Sequence, residues 1–211
     1  MVVPLFELIE EMKGKIRNPN LPVEGIVRVA TTHAIILYYL PQFVHVFKKS
    51  YPHVSFDIQG GGVEAILASI ETGTADFGIA SLLEIPQGLI VYDLFETELK
   101  LIASKKLRLF PEKKISLEAI ASLPHISFPR TSTITPLIEK RFAEDGLKLN
   151  QVFVFNNFEI VKKYVELGMG VGILDDFTIT REDKNKLAVF DLGRFFEKRK
   201  YLLVNFLMAR I

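Results

Sequence analysis

Residues 25–81 read GIVRVATTHAIILYYLPQFVHVFKKSYPHVSFDIQGGGVEAILASIETGTADFGIAS, and along them the apolar period switches repeatedly between two residues and about 3.6. IVRVATT, from Ile26, is rich in β-branched residues that suit a pleated, half-buried strand. From Ala34 to Ser50 the apolar residues Ile36, Leu40, Phe43 and Phe47 follow helical spacing. VSFDIQ at 54–59 reads as a second strand and Gly60-Gly61-Gly62 as a turn. VEAILASIETG at 63–73 reads as a helix closed by Gly73, and ADFGIAS at 75–81 as a third strand. Strands alternating with helices in this way predict a parallel sheet covered by helices on both faces.

Further along the chain, LIVYDLFET (89–97) and LKLIASKK (99–106) are strand-like, after which the same grammar restarts. A short helix at 116–122 precedes a strand at 125–130. Helix 134–145, strand 152–157, helix 158–168 and strand 171–174 follow, and 186–193 and 200–208 are the last strands. On the N-terminal side Leu5, Ile9, Met12 and Ile16 form the apolar stripe of a short helix, broken by Asn18-Pro19-Asn20-Leu21-Pro22. The expected organisation is therefore α/β with two lobes in tandem. Lobe I takes 24–98 plus 178–211, lobe II takes 99–177, and residues 1–23 are a helix end and linker. Ligands of open α/β sheets bind beyond the carboxyl ends of the strands, so a cleft between the lobes is the expected site.

Composition narrows the chemistry. The 26 Lys and Arg nearly cancel the 25 Asp and Glu, leaving no summed field to hold a polyanion such as DNA. The absence of cysteine excludes disulfides, thiolate metal sites and a thiol nucleophile. Glu7, Glu10 and Glu11 stand where a secretory signal needs a cationic start, and no apolar run reaches the roughly 18 residues of a membrane-spanning helix. A soluble, cytoplasmic protein is expected. The four histidines, His33, His45, His53 and His125, have no metal-ligand spacing, and no G-x-S-x-G nucleophile elbow is present. Neither catalytic residues, nor a metal, nor a cofactor is expected. Asp175-Asp176, Lys48-Lys49 and Lys105-Lys106 read as solvated pairs, and Asn156 and Asn157 as helix caps.

Candidate ligand-binding residues lie at the strand-to-helix junctions. Thr31-Thr32-His33 follows the first strand, so hydroxyls and the first free helix amides point the same way, as an anion site requires. Thr131-Ser132-Thr133 repeats the arrangement in the second lobe, and Ser81 ends the third strand. Helix capping is the alternative for the two clusters and an ordinary turn for Ser81. Gly61, within Gly60-Gly61-Gly62, either lets backbone approach a ligand or permits a positive φ.

These stretches, with Leu40-Pro41, Phe47, Tyr51-Pro52, Val54, Gly60, Gly73, Asp76 and Ile79, resemble the start of LysR-type effector domains. SLPHISFPRTSTITPLIEKRFAEDGL and VKKYVELGMGVGILDD, with Val165, Gly168, Gly170 and Val171, resemble that family's second lobe. The resemblance covers roughly residues 24 to 176 and implies two Rossmann-like lobes of the periplasmic-binding-protein type with a ligand cleft between them. Ala30-Thr31-Thr32-His33 looks most like the sulfur-assimilation regulators, although Ala34 and Ile35 stand where that subgroup has polar pocket residues. The implied function is an effector-sensing domain for a sulfate-like anion or other small metabolite. Hydrogen bonds from Thr31, Thr32, Ser81, Thr131 and Thr133 would hold it, and lobe reorientation would follow. The resemblance also implies a homodimer, or a tetramer in a full-length protein, with helix 34–50 beside helix 158–168 of the partner. DNA would be reached only through an N-terminal helix-turn-helix that these residues do not contain, and the family's last C-terminal helix is also not found. A two-lobe solute-binding protein for a small anion shares the architecture and is the alternative, disfavoured because no export signal is read.

Overall fold

The computed structural model describes residues 23–107, 109 and 115–206. The expected N-terminal helix and the linker at 18–22 lie outside these residues. The described chain divides into two compact units, one built from the residues up to Phe95 and from Lys200 onward, the other from Glu96–Arg199.

In the first unit β1 (Gly25–Thr31) pairs in parallel with β2 (Val54–Gly60) on one side and β3 (Phe77–Ala80) on the other. The five-stranded sheet has the order β2-β1-β3-β10-β4, with β4 at Leu89–Thr97 and β10 at Arg199–Phe206. β10 runs antiparallel to β3. The central strands are buried on both faces, so the end of β1 (Val29, Ala30, Thr31) and all of β3 lose the in-out alternation that marks a half-exposed strand. Helix α3 (Val63–Glu71) packs Ile66 and Ile70 with Ala30, Ala80, Leu202 and Val204.

The helix expected at 34–50 is two helices, α1 (His33–Tyr38) and α2 (Leu40–Ser50). Pro41 sits in the first turn of α2, where its missing amide is tolerated, whereas a continuous helix would set its ring against the carbonyl of Leu37. The break at Tyr39 stacks its ring on Phe95, which in turn stacks on Tyr201.

The second unit holds β5 (Leu99–Ser104), α4 (Leu117–Ala121), β6 (Pro124–Ser127), α5 (Ile134–Glu144), β7 (Asn150–Val154), α6 (Phe158–Glu166), β8 (Gly172–Asp175), α7 (Asp183–Lys186) and β9 (Leu187–Asp191). β8 and β9 flank β5, both antiparallel, and β6 pairs in parallel with β7. A parallel bridge between His125 and Val171 joins the two ladders, with Ile126 N donating to Val171 O and Val171 N to Pro124 O, each at 2.8 Å. The resulting order, β7-β6-β8-β5-β9, repeats the first unit's pattern: second, first and third parallel strands, then a strand of opposite direction. Gly170 makes the join possible, since a Cβ there would stand 2.6 Å from the carbonyl oxygen of Pro124. The core of this unit is one cluster including Leu101, Ile120, Ile126, Phe142, Val161 and Ile173.

The expected lobe boundaries need correction. Residues 178–199 belong with the second unit, because β9 completes the sheet around β5 and Leu187 and Leu192 are buried in that unit's core. Strand periodicity identifies β9 but carries no information on which sheet edge it joins.

Candidate functional site

Both hydroxyl-bearing junctions lie at the carboxyl ends of parallel strands, but their hydroxyls are used differently. At the first, Thr31 is the last residue of β1 and is fully buried; its Oγ1 donates to the carbonyl of Ile79 at 2.7 Å. That proton is committed to the sheet, so Thr31 is not available as a donor to a ligand, contrary to the sequence expectation. Thr32 is the N-cap of α1 in extended conformation, and its hydroxyl accepts from Ile35 N at 3.5 Å, the weak limit of a cap. A hydroxyl that accepts keeps its own proton to donate. Helix α1 has only six residues, so its dipole is short and any grip on an anion falls to side-chain donors.

His33 is exposed and lies over the glycine turn: a Cβ on Gly60 would come within 2.8 Å of its Nε2. Of the two readings of Gly60-Gly61-Gly62, the positive φ fails, since none of the three has one. The group that approaches Gly60 is the protein's own imidazole. Gly61 N donates to Thr31 O at 2.8 Å, which ties the turn to β1. Ser81, one residue beyond β3, is 6% exposed, and its hydroxyl has no hydrogen-bond partner among the described residues. The oxygen is not among the buried unsatisfied atoms of the described residues, so its hydroxyl is uncommitted and reachable from solvent.

At the second junction Ser132 caps α5. Its Oγ accepts from Thr135 N at 3.3 Å and donates to Thr135 Oγ1 at 3.2 Å, while Thr135 Oγ1 donates to Phe128 O at 2.9 Å. Ser132 therefore follows the capping alternative. Thr131 is exposed. Thr133 Oγ1 accepts from Arg199 Nη2 at 2.8 Å, and Arg199 is bonded through Nη1 to both carboxylate oxygens of Asp175. Arg199 and Asp175 are 7% and 0% exposed, a buried ion pair whose charges cancel locally.

Sequence reasoning missed this pair. Asp175-Asp176 read as a solvated pair, yet Asp175 is sealed against Arg199 and Asp176 accepts from Thr97 Oγ1 at 2.6 Å. The partners lie 24 and 79 positions away, beyond any local pattern. Lys48, also read as solvated, donates to the carbonyls of Pro52 and Val54 at 2.7 and 2.8 Å. The capping expectation for Asn157 holds, as its Oδ1 accepts from Glu159 N at 2.8 Å. No group of three or more potential metal ligands occurs among the described residues, and none of their helices is long and apolar enough to cross a membrane.

Residues 22–204 match the family described as LysR substrate binding domain. The chain belongs to that family. This LysR domain is 29% identical over 175 residues to the HTH-type transcriptional regulator Cbl of Escherichia coli, covering 82% of the chain and 55% of Cbl. It is 28% identical over 178 residues to the transcriptional regulator CysB of Haemophilus influenzae, covering 83% and 54%. The chain thus spans about half the length of these curated relatives. Among solved structures, the cofactor-binding domain of the Cbl regulator superposes with a TM-score of 0.78 at 25% identity, over 90% of this LysR domain and 85% of that chain. The CcmR regulatory domain of Synechocystis, solved in complex with 2-PG, superposes with a TM-score of 0.79 at 20% identity, over 89% and 90%, and shares the fold. The LysR effector-domain architecture expected from the sequence is therefore shown.

Proposed function

We propose that this LysR domain is the effector-sensing part of a transcriptional regulator and that its effector is a small polar or anionic metabolite, a sulfate-like oxyanion being the first candidate. Family membership supports sensing, and the hydroxyl of Ser81, which no bond among the described residues commits, supports a donor free to serve a ligand. Thr32 and Ser81 in the first unit and Thr131 and Thr133 in the second are the proposed donors. Thr32 and Thr133 both accept a bond from the protein and keep a proton for the ligand. Neutral donors beside a cancelled ion pair suit a small dehydrated oxyanion or a polar metabolite rather than a large polyanion. The similarity to Cbl and CysB and the Thr31-Thr32-His33 junction favour the sulfur-assimilation subgroup.

Calorimetry with sulfate, thiosulfate and O-acetylserine tests this. Binding by at least one is expected, weakened roughly tenfold or more by Thr32→Ala and by Thr133→Ala, since hydrogen bonds to a charged group are worth about 1.5–3 kcal/mol. Non-additive losses in the double variant would show that the two hydroxyls serve one ligand. Absence of binding by all three, or affinity unchanged in both variants, would overturn the proposal.

The same reading carries a homodimer in which α2 of one subunit lies beside α6 of its partner. Exposed Leu37 and Val46 on α1 and α2, exposed Ile160 on α6, and the fully exposed edge strand β7 with Val152, Phe153 and Val154 support it. Sedimentation should give a dimer that Val46→Glu dissociates. DNA binding, and tetramer formation, would belong to a protein carrying a helix-turn-helix.

A further inference from the structure

Thr133 precedes α5 as its cap residue, yet its hydroxyl makes no capping bond, because Ser132 serves the helix instead. It accepts from Arg199 Nη2 at 2.8 Å. The other end of that guanidinium is fixed by the sheet. Asp175 closes β8 opposite Leu99 of β5 and is fully buried, and both of its carboxylate oxygens accept from Arg199 Nη1. Arg199, Asp175 and Thr133 all belong to the second unit. A planar guanidinium held at one nitrogen by two bonds cannot turn freely, so its second nitrogen has a set direction.

We propose that Arg199 is a positioning residue of the effector site, turning the Thr133 proton toward the ligand, and that Asp175 masks the charge the arginine would otherwise bring there. The inference rests on the oxyanion reading above and adds how that site selects its ligand. A hydroxyl oxygen carries its proton and its lone pairs at staggered positions about the Cβ–Oγ bond. With one lone pair taken by a guanidinium N–H, the proton of Thr133 is left the positions that point away from Arg199. A hydroxyl that accepts from a cation is also a better donor, because hydrogen bonds in a chain polarise one another. Arg199 therefore strengthens Thr133 without touching the ligand. An unmasked guanidinium so close would draw in any anion, chloride included, by charge alone. With the Asp175 carboxylate opposed to it, attraction falls to hydrogen bonds, and these depend on where a ligand's acceptor oxygens stand. The site then prefers oxyanions of fitting shape over simple anions of equal charge.

Calorimetry of the full chain with sulfate and thiosulfate tests both halves. Arg199→Lys keeps the charge and can still pair with Asp175, but an ammonium on a flexible stem does not reproduce the fork that reaches Thr133. It should weaken binding about three- to tenfold, yet by less than about twofold once Thr133→Val is present, because its effect passes through that hydroxyl. Equal losses in the two backgrounds would make Arg199 a structural brace and overturn its positioning role. Asp175→Asn, which keeps an acceptor for Nη1, should tighten sulfate about threefold or more at low salt and let sodium chloride erode the gain. Unchanged or weaker binding would overturn the masking. A readout that needs no variant is the salt dependence of the unsubstituted chain, whose sulfate affinity should change less than about twofold from about 50 to about 300 mM sodium chloride. A steep loss would reveal an unmasked positive field and overturn the masking as well. If neither anion binds the unsubstituted chain, this inference falls with the oxyanion reading, whereas binding indifferent to Arg199→Lys overturns this inference and leaves that reading standing.

Discussion

Thr31-Thr32-His33 and Thr131-Ser132-Thr133 look interchangeable as strings, but the two units use them in different ways. In the first unit the leading threonine is sealed into the sheet and the middle one caps the helix. In the second the middle residue caps, and the last is held by a buried arginine that an aspartate neutralises. The contrast teaches that a hydroxyl's role follows from where its proton goes. Donors committed to carbonyls are structural, and those that only accept remain able to serve a ligand.

The largest effect that separates the two regions should come from Asp175→Ala. It leaves the Arg199 guanidinium buried without its counterion, a change that costs about 3–5 kcal/mol. Urea unfolding should place the loss in the second unit's stability, and a loss below about 1 kcal/mol would mean that Arg199 finds water instead. Nothing in the first junction has a comparable dependence on one residue.

Next in size is a pH effect centred on the second unit. His125 titrates near 6.5 when unfolded but is held to about 4 when folded, so the unfolded state binds the extra proton between those values. The stability due to the neutral buried ring is complete above pH 6.5 and declines by about 3 kcal/mol as pH falls to 4. The comparison to make is the difference in unfolding free energy between the unsubstituted chain and His125→Phe, which cancels the contributions common to both chains. A difference independent of pH from 7 to 4 would show that the ring is hydrated in the folded state.

The smallest effects sharpen the first junction. Thr31→Val removes the buried bond to Ile79 O and should cost about 1 kcal/mol of stability with effector affinity unchanged. Thr32→Ala should do the reverse, costing about 0.5 kcal/mol because its cap is long, while affinity drops. Reversal of that pattern in paired denaturation and calorimetry would exchange the roles assigned to the two threonines.

The βα alternation, the turn at Gly60 and the caps at Thr32 and Asn157 were legible along the chain because each depends on residues within a few positions of one another. Local sequence signals of this kind determined the fold class and the family. The partition of 178–199, the sealing of Thr31 and the burial of Asp175 and His125 were decided only in three dimensions. Each depends on a partner or packing neighbour that pattern cannot register: Ile79 lies 48 positions from Thr31, and β9 returns to β5 from the far side of the unit's sequence. Hydrogen-bond donors acquire their function from what faces them, and facing across a sheet is a tertiary property.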